Sequence, residues 1–383
     1  MDIIKDLPGV FEAFGEQRQQ SFLIVKELKE QGVPLIGSYC TYFPRELPIA
    51  MDAVPVSLCS TSDETIVAAE ADLPKNLCPL IKSSYGFAKT EKCPYFYFSD
   101  LVVGETTCDG KKKMFEYMSE FKDVFVMQLP SCQDGDALKA WEKEILRLKM
   151  YMEKKFGRDI TETNMRRAVH ICNQANAALS ELCALMKNDP APMSGYDLFK
   201  VLYGSGYRFD REELAKDLRA MKKQIEEEYA AGKMFERRPR ILVTGCPIGG
   251  ATEKVIQAIE NNGGVVVAYE NCNGEKAIGR QVDESAANIY EALAYRYLNI
   301  GCSVMSPNPN REELLGTMID EYHVDGVIEM TLQTCLTYDV ESGAIRRFVR
   351  EKKGIPFLSV QTDYSQADIE QLNTRITAFL EML

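Results

Sequence analysis

The spacing of apolar positions divides the chain into three parts. Residues 33–130 alternate short apolar runs, typical of buried strands, with the amphipathic segment KKKMFEYMSEF, which has helical spacing. The predicted strands in this part are VPLIGSYC, AVPVSLCS, YFYFSDLVVGE and DVFVMQLP, and residues 3–30 are predicted to form an amphipathic helix before them. Strands that alternate with helices predict a parallel sheet with helical crossovers.

The second and third parts differ in their period. From about residue 137 to 236 the apolar side chains recur at helical spacing, as in ALKAWEKEILRLKMYMEKKFG. Strands then alternate with helices again, in the order RILVTG, GVVVAYE, VDGVIEM and IPFLSV. We therefore predict an α/β protein with two Rossmann-like, doubly wound parallel-sheet domains, at residues 1–135 and 238–383, and a helical connecting region at 136–237.

Length and charge restrict the class of protein. A chain of 383 residues suits two such domains. Its net charge of −12 argues against nucleic acid or an anionic membrane surface as the main partner. No apolar run approaches the ~20 residues that span a bilayer, and the acidic N-terminus lacks the features of a signal peptide. We therefore expect a cytoplasmic protein, in which disulfides are rare.

Two common nucleotide-binding motifs are missing from the sequence. The glycine-rich segment TGCPIGG does not have the G-x-G-x-x-G spacing of a dinucleotide site, and no G-x-x-x-x-G-K-[ST] segment occurs. We therefore expect neither a nicotinamide or flavin site nor ATP bound by a P-loop.

The cysteine content indicates the chemistry of a possible site. The chain has twelve cysteines but two histidines, which we interpret as structural, so any metal would be held mainly by sulfur. Ligands of open parallel sheets collect outside the carboxyl ends of the strands. The cysteines that follow predicted strands or lie in adjoining loops are Cys40, Cys59, Cys78, Cys108, Cys246, Cys272, Cys302 and Cys335.

The remaining cysteines have other settings. Cys93 precedes a predicted strand, and Cys132, Cys172 and Cys183 lie in a turn or in predicted helices, which we expect to face away from the site. Any single cysteine could be a buried core residue, but six or more from two domains at one edge favour a shared site. No C-x-x-C pair occurs, so neither a zinc ribbon nor a ferredoxin motif fits. Dispersed thiolates that converge only in the fold suit an iron–sulfur centre between the domains.

Several ordered segments resemble one protein family. CPLIKSSYG, DLVVGETTCDGKKK, DGVIEMTLQTC, GIPFLSVQTDYS and QLNTRITAFLEML are similar to the 2-hydroxyacyl-CoA dehydratase and benzoyl-CoA reductase family, and the resemblance runs over nearly the whole chain. In the dehydratases, each subunit holds a [4Fe–4S] cluster through three cysteines between two Rossmann-like domains. The resemblance implies that Cys78, Cys108 and Cys335 are the matching ligands here.

Three further segments, GSYCTYFPREL, EKCPYFYFSD and TGCPIGG, resemble the double-cubane branch of this family. Its members are homodimers in which a sulfide bridges two [4Fe–4S] units into an [8Fe–9S] centre, which needs six thiolates. The resemblance therefore implies three more ligands. They come from Cys40, Cys246, Cys272 and Cys302, and less readily from Cys59 or Cys93, with Cys246 the first choice and Cys302 preferred to Cys272.

The resemblance also implies a partner and a reaction. Family members receive single low-potential electrons from an ATP-hydrolysing activator with its own [4Fe–4S] cluster. We expect a reductase of a small molecule; the alternatives are a dehydratase subunit with one [4Fe–4S] cluster and a non-catalytic electron-transfer or cluster-storage protein. Glu46, which follows Cys40, is a candidate proton carrier. Lys111, Lys112 and Lys113, beside Cys108, would form a docking patch or raise the potential of the cluster; the alternative is a solvated first helical turn.

Overall fold

The computed structural model describes residues 21–247 and 249–383, and all structural statements below refer to these residues. Two four-stranded parallel sheets organise this part of the chain. The first contains β1 (Leu35–Ser38), β2 (Val54–Ser57), β3 (Leu101–Glu105) and β4 (Val124–Met127). The second contains β5 (Arg240–Gly245), β6 (Val265–Tyr269), β7 (Gly326–Leu332) and β8 (Phe357–Thr362).

The helices connect these strands and cover both faces of each sheet. They are α1 (21–30), α2 (Glu46–Ala50), α3 (Ile66–Ala69), α4 (Pro79–Lys89), α5 (Pro94–Phe98), α6 (Asp109–Met118), α7 (Gly135–Phe156), α8 (Glu162–Cys183), α9 (Gly195–Ser205), α10 (Arg211–Ala230), α11 (Gly250–Asn261), α12 (Glu275–Ile278), α13 (Ile289–Leu298), α14 (Pro309–Glu321), α15 (Leu336–Arg347) and α16 (Ile369–Leu380). No helix among the described residues is long and apolar enough to cross a membrane.

The two sheets have the same topology, with strand orders β2-β1-β3-β4 and β6-β5-β7-β8. In each sheet the second strand along the chain pairs with one side of the first strand, and the third and fourth strands are added on its other side. This order creates a switch point between β1 and β3, and another between β5 and β7, where ligands of doubly wound sheets bind. The predicted α/β class with two Rossmann-like parallel sheets is thereby confirmed.

The central strands are buried on both faces, which explains their continuous apolar runs. One core cluster joins Ile36 and Leu101 of the first sheet to Trp141 of α7 and Leu293 of α13. A helix from the C-terminal half of the chain therefore covers a face of the first sheet. This packing brings the loop after α13, which contains Cys302, towards the first sheet.

One predicted strand is wrong in its first half. The segment PYFYF forms the short helix α5, and β3 begins only at Leu101. Pro94 occupies the first turn of the helix, where its fixed φ and missing N–H are tolerated. The Cys93 sulfur accepts a hydrogen bond from the Phe96 N–H at 3.5 Å and caps the helix. Of the helix predicted at residues 3–30, the structure shows 21–30 as helical, and 3–20 lie outside the described residues.

Candidate metal centre

Cysteines follow seven of the eight strands that the structure describes. Those of the first sheet are Cys40, Cys59, Cys108 and Cys132, and those of the second are Cys246, Cys272 and Cys335. Because parallel strands end at the same edge of a sheet, these side chains gather at the carboxyl edges. Cys78 directly precedes α4, and Cys302 lies in the loop after α13. Helix and strand ends from both halves thus supply the thiols.

The first thiol group consists of Cys78, Cys246 and Cys335. Strands β5 and β7 are neighbours with Gly245 opposite Met330, so the two cysteines that follow these strands lie close together, as predicted. Hydrogen bonds from the thiols of Cys246 and Cys78 lower the pKa of Cys335 to about 3. The three thiols therefore lie within hydrogen-bonding reach of one another, with Cys335 between the other two. Cys78 joins them from the first half of the chain, so this group spans both halves.

Cys246 is fixed by the backbone around it. Its sulfur accepts a hydrogen bond from the Leu332 N–H at 3.3 Å, and its own N–H donates to the Met330 carbonyl at 2.9 Å. Gly245 before it has φ +111°, and a Cβ there would lie 2.1 Å from that same Met330 oxygen. Only glycine allows β5 to end so close to β7. The approach of the two strands sets where Cys246 lies relative to Cys335.

The second thiol group consists of Cys40, Cys272 and Cys302. Burial raises the pKa of Cys40, and the nearby thiols of Cys272 and Cys302 add to that shift. Burial and the Cys302 thiol likewise raise the pKa of Cys272. A second set of three thiols is thus again drawn from both halves of the chain, with Cys302 buried and Cys40 and Cys272 half-buried. Both Cys272 and Cys302 belong to it, where the sequence had favoured Cys302 for a single remaining place.

Hydrogen bonds between the halves hold the loops of the second thiol group. The Tyr42 hydroxyl donates to the Ile300 carbonyl at 3.3 Å, and Gln133 Nε2 donates to the same oxygen at 3.0 Å. Thr41 Oγ1 donates to the Cys272 carbonyl at 3.2 Å. Since these contacts satisfy the polar atoms of loops that leave both sheets, the thiol positions are determined by the fold rather than by mobile segments.

A buried ionic network supports the same loops from behind. Arg311 is fully buried and contacts Glu270, Glu329 and Glu341, while Lys276 Nζ lies 2.9 Å from a Glu270 oxygen. Asn308 Nδ2 donates to the Cys302 carbonyl at 2.9 Å and to Glu341 at 2.7 Å. The network therefore joins the loop of Cys302 to α15, the helix that begins directly after Cys335. It connects the supports of the two thiol groups.

Cys108 follows β3 at the carboxyl edge of the first sheet, where the sequence placed it, and its assignment as a ligand stays a prediction. It occupies the N-cap position of α6, and its side chain makes no capping hydrogen bond. Lys111, one turn later, donates to the Tyr39 carbonyl at 3.3 Å. Burial lowers the pKa of Lys111, but the charges of Cys40, Glu105 and Cys59 outweigh it and raise the pKa overall. Lys111 is therefore a buried counter-charge for the thiols.

The neighbouring lysines are exposed surface residues. Lys112 pairs with Asp109 at 3.1 Å, and Lys113 pairs with Glu116 at 2.6 Å. The solvated helical turn thus describes Lys112 and Lys113, whereas Lys111 points inwards towards the Tyr39 carbonyl. Helical spacing after β3 could have indicated this, since Lys111 lies on the same face as Met114 and Phe115.

Glu105 was missed by the sequence analysis. It ends β3, is fully buried, and neither of its carboxyl oxygens has a hydrogen bond from another residue that the structure describes. Burial raises its pKa to about 8, although the Lys111 charge acts against that shift. A carboxylate at the end of the apolar run LVVGE is the signal that could have identified it.

The structure corrects the interpretation of one core cysteine. A cavity of about 200 Å³ lies where the two halves meet, and Cys40, Cys59, Cys172 and Cys272 line it. Cys172 thus faces the cavity instead of pointing away from it. Cys183 is buried in the core, and the Cys132 thiol donates to Asp134 at 3.5 Å, as expected for residues outside the site. Cys59 donates to the Tyr39 carbonyl at 2.9 Å.

Glu46 lies in the wall of the same cavity. The side chain is buried at the start of α2, and the Tyr297 hydroxyl donates to its Oε2 at 2.9 Å. Burial raises the pKa of this carboxyl, and the Arg296 charge partly offsets the effect. The position agrees with a group that can hold a proton beside the thiols. The assignment of that role stays a prediction.

The donors that the structure brings together are thiols. No three His, Cys, Asp or Glu side chains of the described residues are placed so that they could hold one metal ion. In an iron–sulfur cluster each thiolate binds its own iron, so the ligands stand around a larger volume than they do around one ion. Two groups of thiols with no imidazole nearby have that chemistry.

Comparison with known proteins identifies the family. Residues 40–383 match the family model described as 2-hydroxyglutaryl-CoA dehydratase, D-component. The chain belongs to this family. It is 56% identical over 384 residues, and 100% of both chains, to the "Putative dehydratase subunit YjiM" of Escherichia coli (strain K12).

More distant members of the family carry specific names. The chain is 24% identical over 365 residues, or 94% of each chain, to the (R)-phenyllactyl-CoA dehydratase beta subunit of Clostridium sporogenes. It is also 24% identical to the B subunit of benzoyl-CoA reductase from Thauera aromatica, over 74% of this chain and 70% of that one. Thus the family resemblance noted from the cysteine segments is confirmed.

Proposed function

We propose that this protein is an iron–sulfur reductase component that accepts low-potential electrons from an ATP-hydrolysing activator and reduces a small molecule at a double-cubane [8Fe–9S] centre. The observation that carries the proposal is the second thiol group. A single [4Fe–4S] cluster with three cysteine ligands leaves Cys40, Cys272 and Cys302 without a purpose, although the fold gathers these buried and half-buried thiols from both halves of the chain.

The ligand assignment follows from the two groups. Cys40, Cys272 and Cys302 would hold one cubane, and Cys78 and Cys335 would hold the other. The sixth place has two candidates: Cys108, which the family resemblance supports, and Cys246, which its contact with Cys335 supports. Replacing each by serine separates them, because a serine hydroxyl is a much poorer iron ligand than a thiolate.

The residues around the cavity have distinct tasks in this proposal. The bound centre would supply single electrons at low potential. Lys111 balances the negative charge of the thiolates from the side of Cys40 and Cys59. Glu46 holds a proton at its carboxyl in the cavity wall, oriented by the Tyr297 hydroxyl.

The wider expectations remain part of the proposal. The protein would act in the cytoplasm as a homodimer that docks the activator, with domain boundaries at residues 135 and 237. The second candidate function is a 2-hydroxyacyl-CoA dehydratase subunit with one [4Fe–4S] cluster, which the name of the relative from Clostridium sporogenes favours. A dehydratase subunit would also need a cleft for coenzyme A.

Turnover with an activator tests the function. The anaerobically purified protein, a dimeric ATPase activator of this family and ATP are combined with a small reducible molecule such as acetylene, and product is measured by gas chromatography. We expect ATP-dependent reduction that is lost in Cys302→Ser and kept in Cys183→Ser. Activity towards a 2-hydroxyacyl-CoA ester, with full activity retained in Cys302→Ser, would contradict the reductase assignment and support the dehydratase.

A further inference from the structure

The cavity has a strongly positive end whose charges the fold itself does not neutralise. Four cationic residues line it, namely Arg45, Lys111, Arg211 and Arg296, against the single carboxylate of Glu46. None of the three arginines forms an ion pair within 4.0 Å among the described residues. Buried or half-buried guanidinium groups normally have anionic partners, because taking them out of water is costly. Among the described residues this end of the cavity therefore keeps a net positive charge, which a bound anion would balance.

Arg45 and Arg211 are the groups that remain available. Arg211 begins α10, and one of its nitrogens donates to the Ser205 carbonyl at 2.9 Å, which anchors the side chain and leaves other N–H groups free for a ligand. Arg296 is committed, because it donates to the carbonyls of Arg280 and Ala277 and stacks on Tyr297. Arg45 has no side-chain hydrogen bond among the described residues.

These arginines are not simply counter-charges for the thiolates. The charges that act on Arg211 are those of Arg45, Cys172, Tyr297 and Glu46, whereas those that act on Lys111 are mainly Cys40, Glu105, Cys59 and Cys108. The cavity thus has a thiol end served by Lys111 and an arginine end beside Glu46. Burial and the repulsion from Arg45 lower the pKa of Arg211 to about 10, which an anion between the two groups would relieve.

The remaining walls and the size restrict what can fit. Phe43, Ile49, Leu179 and Leu202 line the cavity with apolar surface. The volume of about 200 Å³, part of which a centre held by Cys40 and Cys272 would occupy, is smaller than the roughly 300–1,000 Å³ of pockets that hold drug-sized ligands, so a whole coenzyme A thioester is too large. A guanidinium group matches a carboxylate with two parallel hydrogen bonds.

We propose that Arg45 and Arg211 bind the carboxylate of a free short-chain organic acid, with its apolar part extending towards Cys40 and Cys272. This inference rests on the proposed function, since it names the substrate class of that reductase. The proposed substrate differs from those in the names of the CoA-dependent relatives, because the acid binds without coenzyme A. The carboxylate anchors the molecule, and Glu46 lies beside it as the proton-holding group.

Binding to the anaerobically purified full chain tests the proposal without any need for turnover. Isothermal titration calorimetry is carried out with acrylate, with its neutral isostere acrylamide, and with inorganic phosphate. We expect acrylate to bind and acrylamide to bind at least about 10-fold more weakly, because the amide lacks the charge that the arginines require. Equal binding of acrylate and acrylamide, or binding of phosphate alone, would overturn the carboxylate assignment.

Substitutions of the two arginines test where the anion binds. Arg211→Gln and Arg45→Gln should each weaken acrylate binding by about 10- to 100-fold, the usual loss of a charge-assisted pair. Arg211→Lys should lose less, since it keeps the charge but not the fork of donors. Arg219→Gln, an exposed position on the same helix, is the matched control and should bind as the wild type does.

The two proposals fail in different ways. Iron content and melting temperature confirm that each variant is folded and loaded. Unchanged affinity in both Arg211→Gln and Arg45→Gln would overturn the anion site and leave the cluster assignment as it stands. A low iron content with intact acrylate binding would overturn the double cubane and leave the anion site.

Discussion

Gly245→Ala is expected to damage the site through the backbone, without removing any thiol. Gly245 ends β5 with φ +111°, a conformation that an L-residue adopts only with strain of about 1–3 kcal/mol. The added Cβ would also lie 2.1 Å from the Met330 oxygen and 2.9 Å from its carbonyl carbon. Ordinary contact needs more than 3.4 Å, so the ends of β5 and β7 must move apart by about an ångström.

The expected loss of stability follows from these two terms. Overpacking against an immobile backbone costs about 1–3 kcal/mol more, which gives roughly 2–6 kcal/mol in all. For halves of this size that corresponds to a melting temperature lower by roughly 4–24 °C. The movement also displaces Cys246, because its N–H is bonded to the same Met330 oxygen at 2.9 Å. Iron content should therefore fall together with stability.

Gly263→Ala is the matched control for this experiment. Gly263 also has a positive φ, +93°, but no atom lies within 4 Å of the position of its Cβ. The Gly263→Ala variant should lose only the stability that the backbone strain costs, and it should keep the wild-type iron content. Melting temperatures from circular dichroism and iron from a colorimetric assay are compared for the two variants. If Gly245→Ala matched Gly263→Ala in both measurements, the argument that β5 and β7 position Cys246 would be refuted.

The remaining predictions concern single side chains. Cys302→Ser and Cys335→Ser should each lower the iron content towards half of the wild-type value. Cys172→Ser should keep the wild-type iron content, because the charged neighbours of Cys172 are Glu46 and arginines rather than other thiols. The iron assay checks all three variants, and iron loss in Cys172→Ser would show that Cys172 is a ligand. Burial raises the pKa of Glu260 to about 7 from its ordinary 4.5, despite three backbone N–H bonds to its carboxylate. The folded protein therefore holds this proton more tightly than the unfolded chain does. The resulting stabilisation, up to about 3 kcal/mol, is present at low pH and is lost as pH rises from about 4.5 through 7. Relative to Glu260→Gln, the wild-type melting temperature should fall between pH 5 and 8, and a constant difference would refute the assignment.

The periodicity of the sequence was enough to predict the sheets. β5 and β7 are continuous apolar runs. The rules for parallel sheets predict that these two strands are adjacent, and their adjacency places Cys246 beside Cys335. The helix α5 was missed because its aromatic residues have high strand propensity, and tertiary packing together with Pro94 overrode that preference.

The site was predictable only in outline. That cysteines after strands converge follows from topology, but which of them share a group depends on where loops pack. Cys302 reaches Cys40 because α13 covers a face of the first sheet, a long-range contact that no local pattern encodes. The inward direction of Cys172 depends likewise on the packing of α8 against α10. Neither arrangement could be read from spacing alone.

The most direct test of the central claim is the iron and acid-labile sulfide content of the protein purified without oxygen, together with its EPR spectrum. Two thiol groups that hold a bridged pair of cubanes predict about eight iron atoms and nine sulfides per chain. They also predict that Cys40→Ser, in the second group, lowers the iron towards four while the protein stays folded. A wild-type content of four iron atoms and four sulfides, unchanged in Cys40→Ser, would contradict the account and show that one [4Fe–4S] cluster is all that this fold holds.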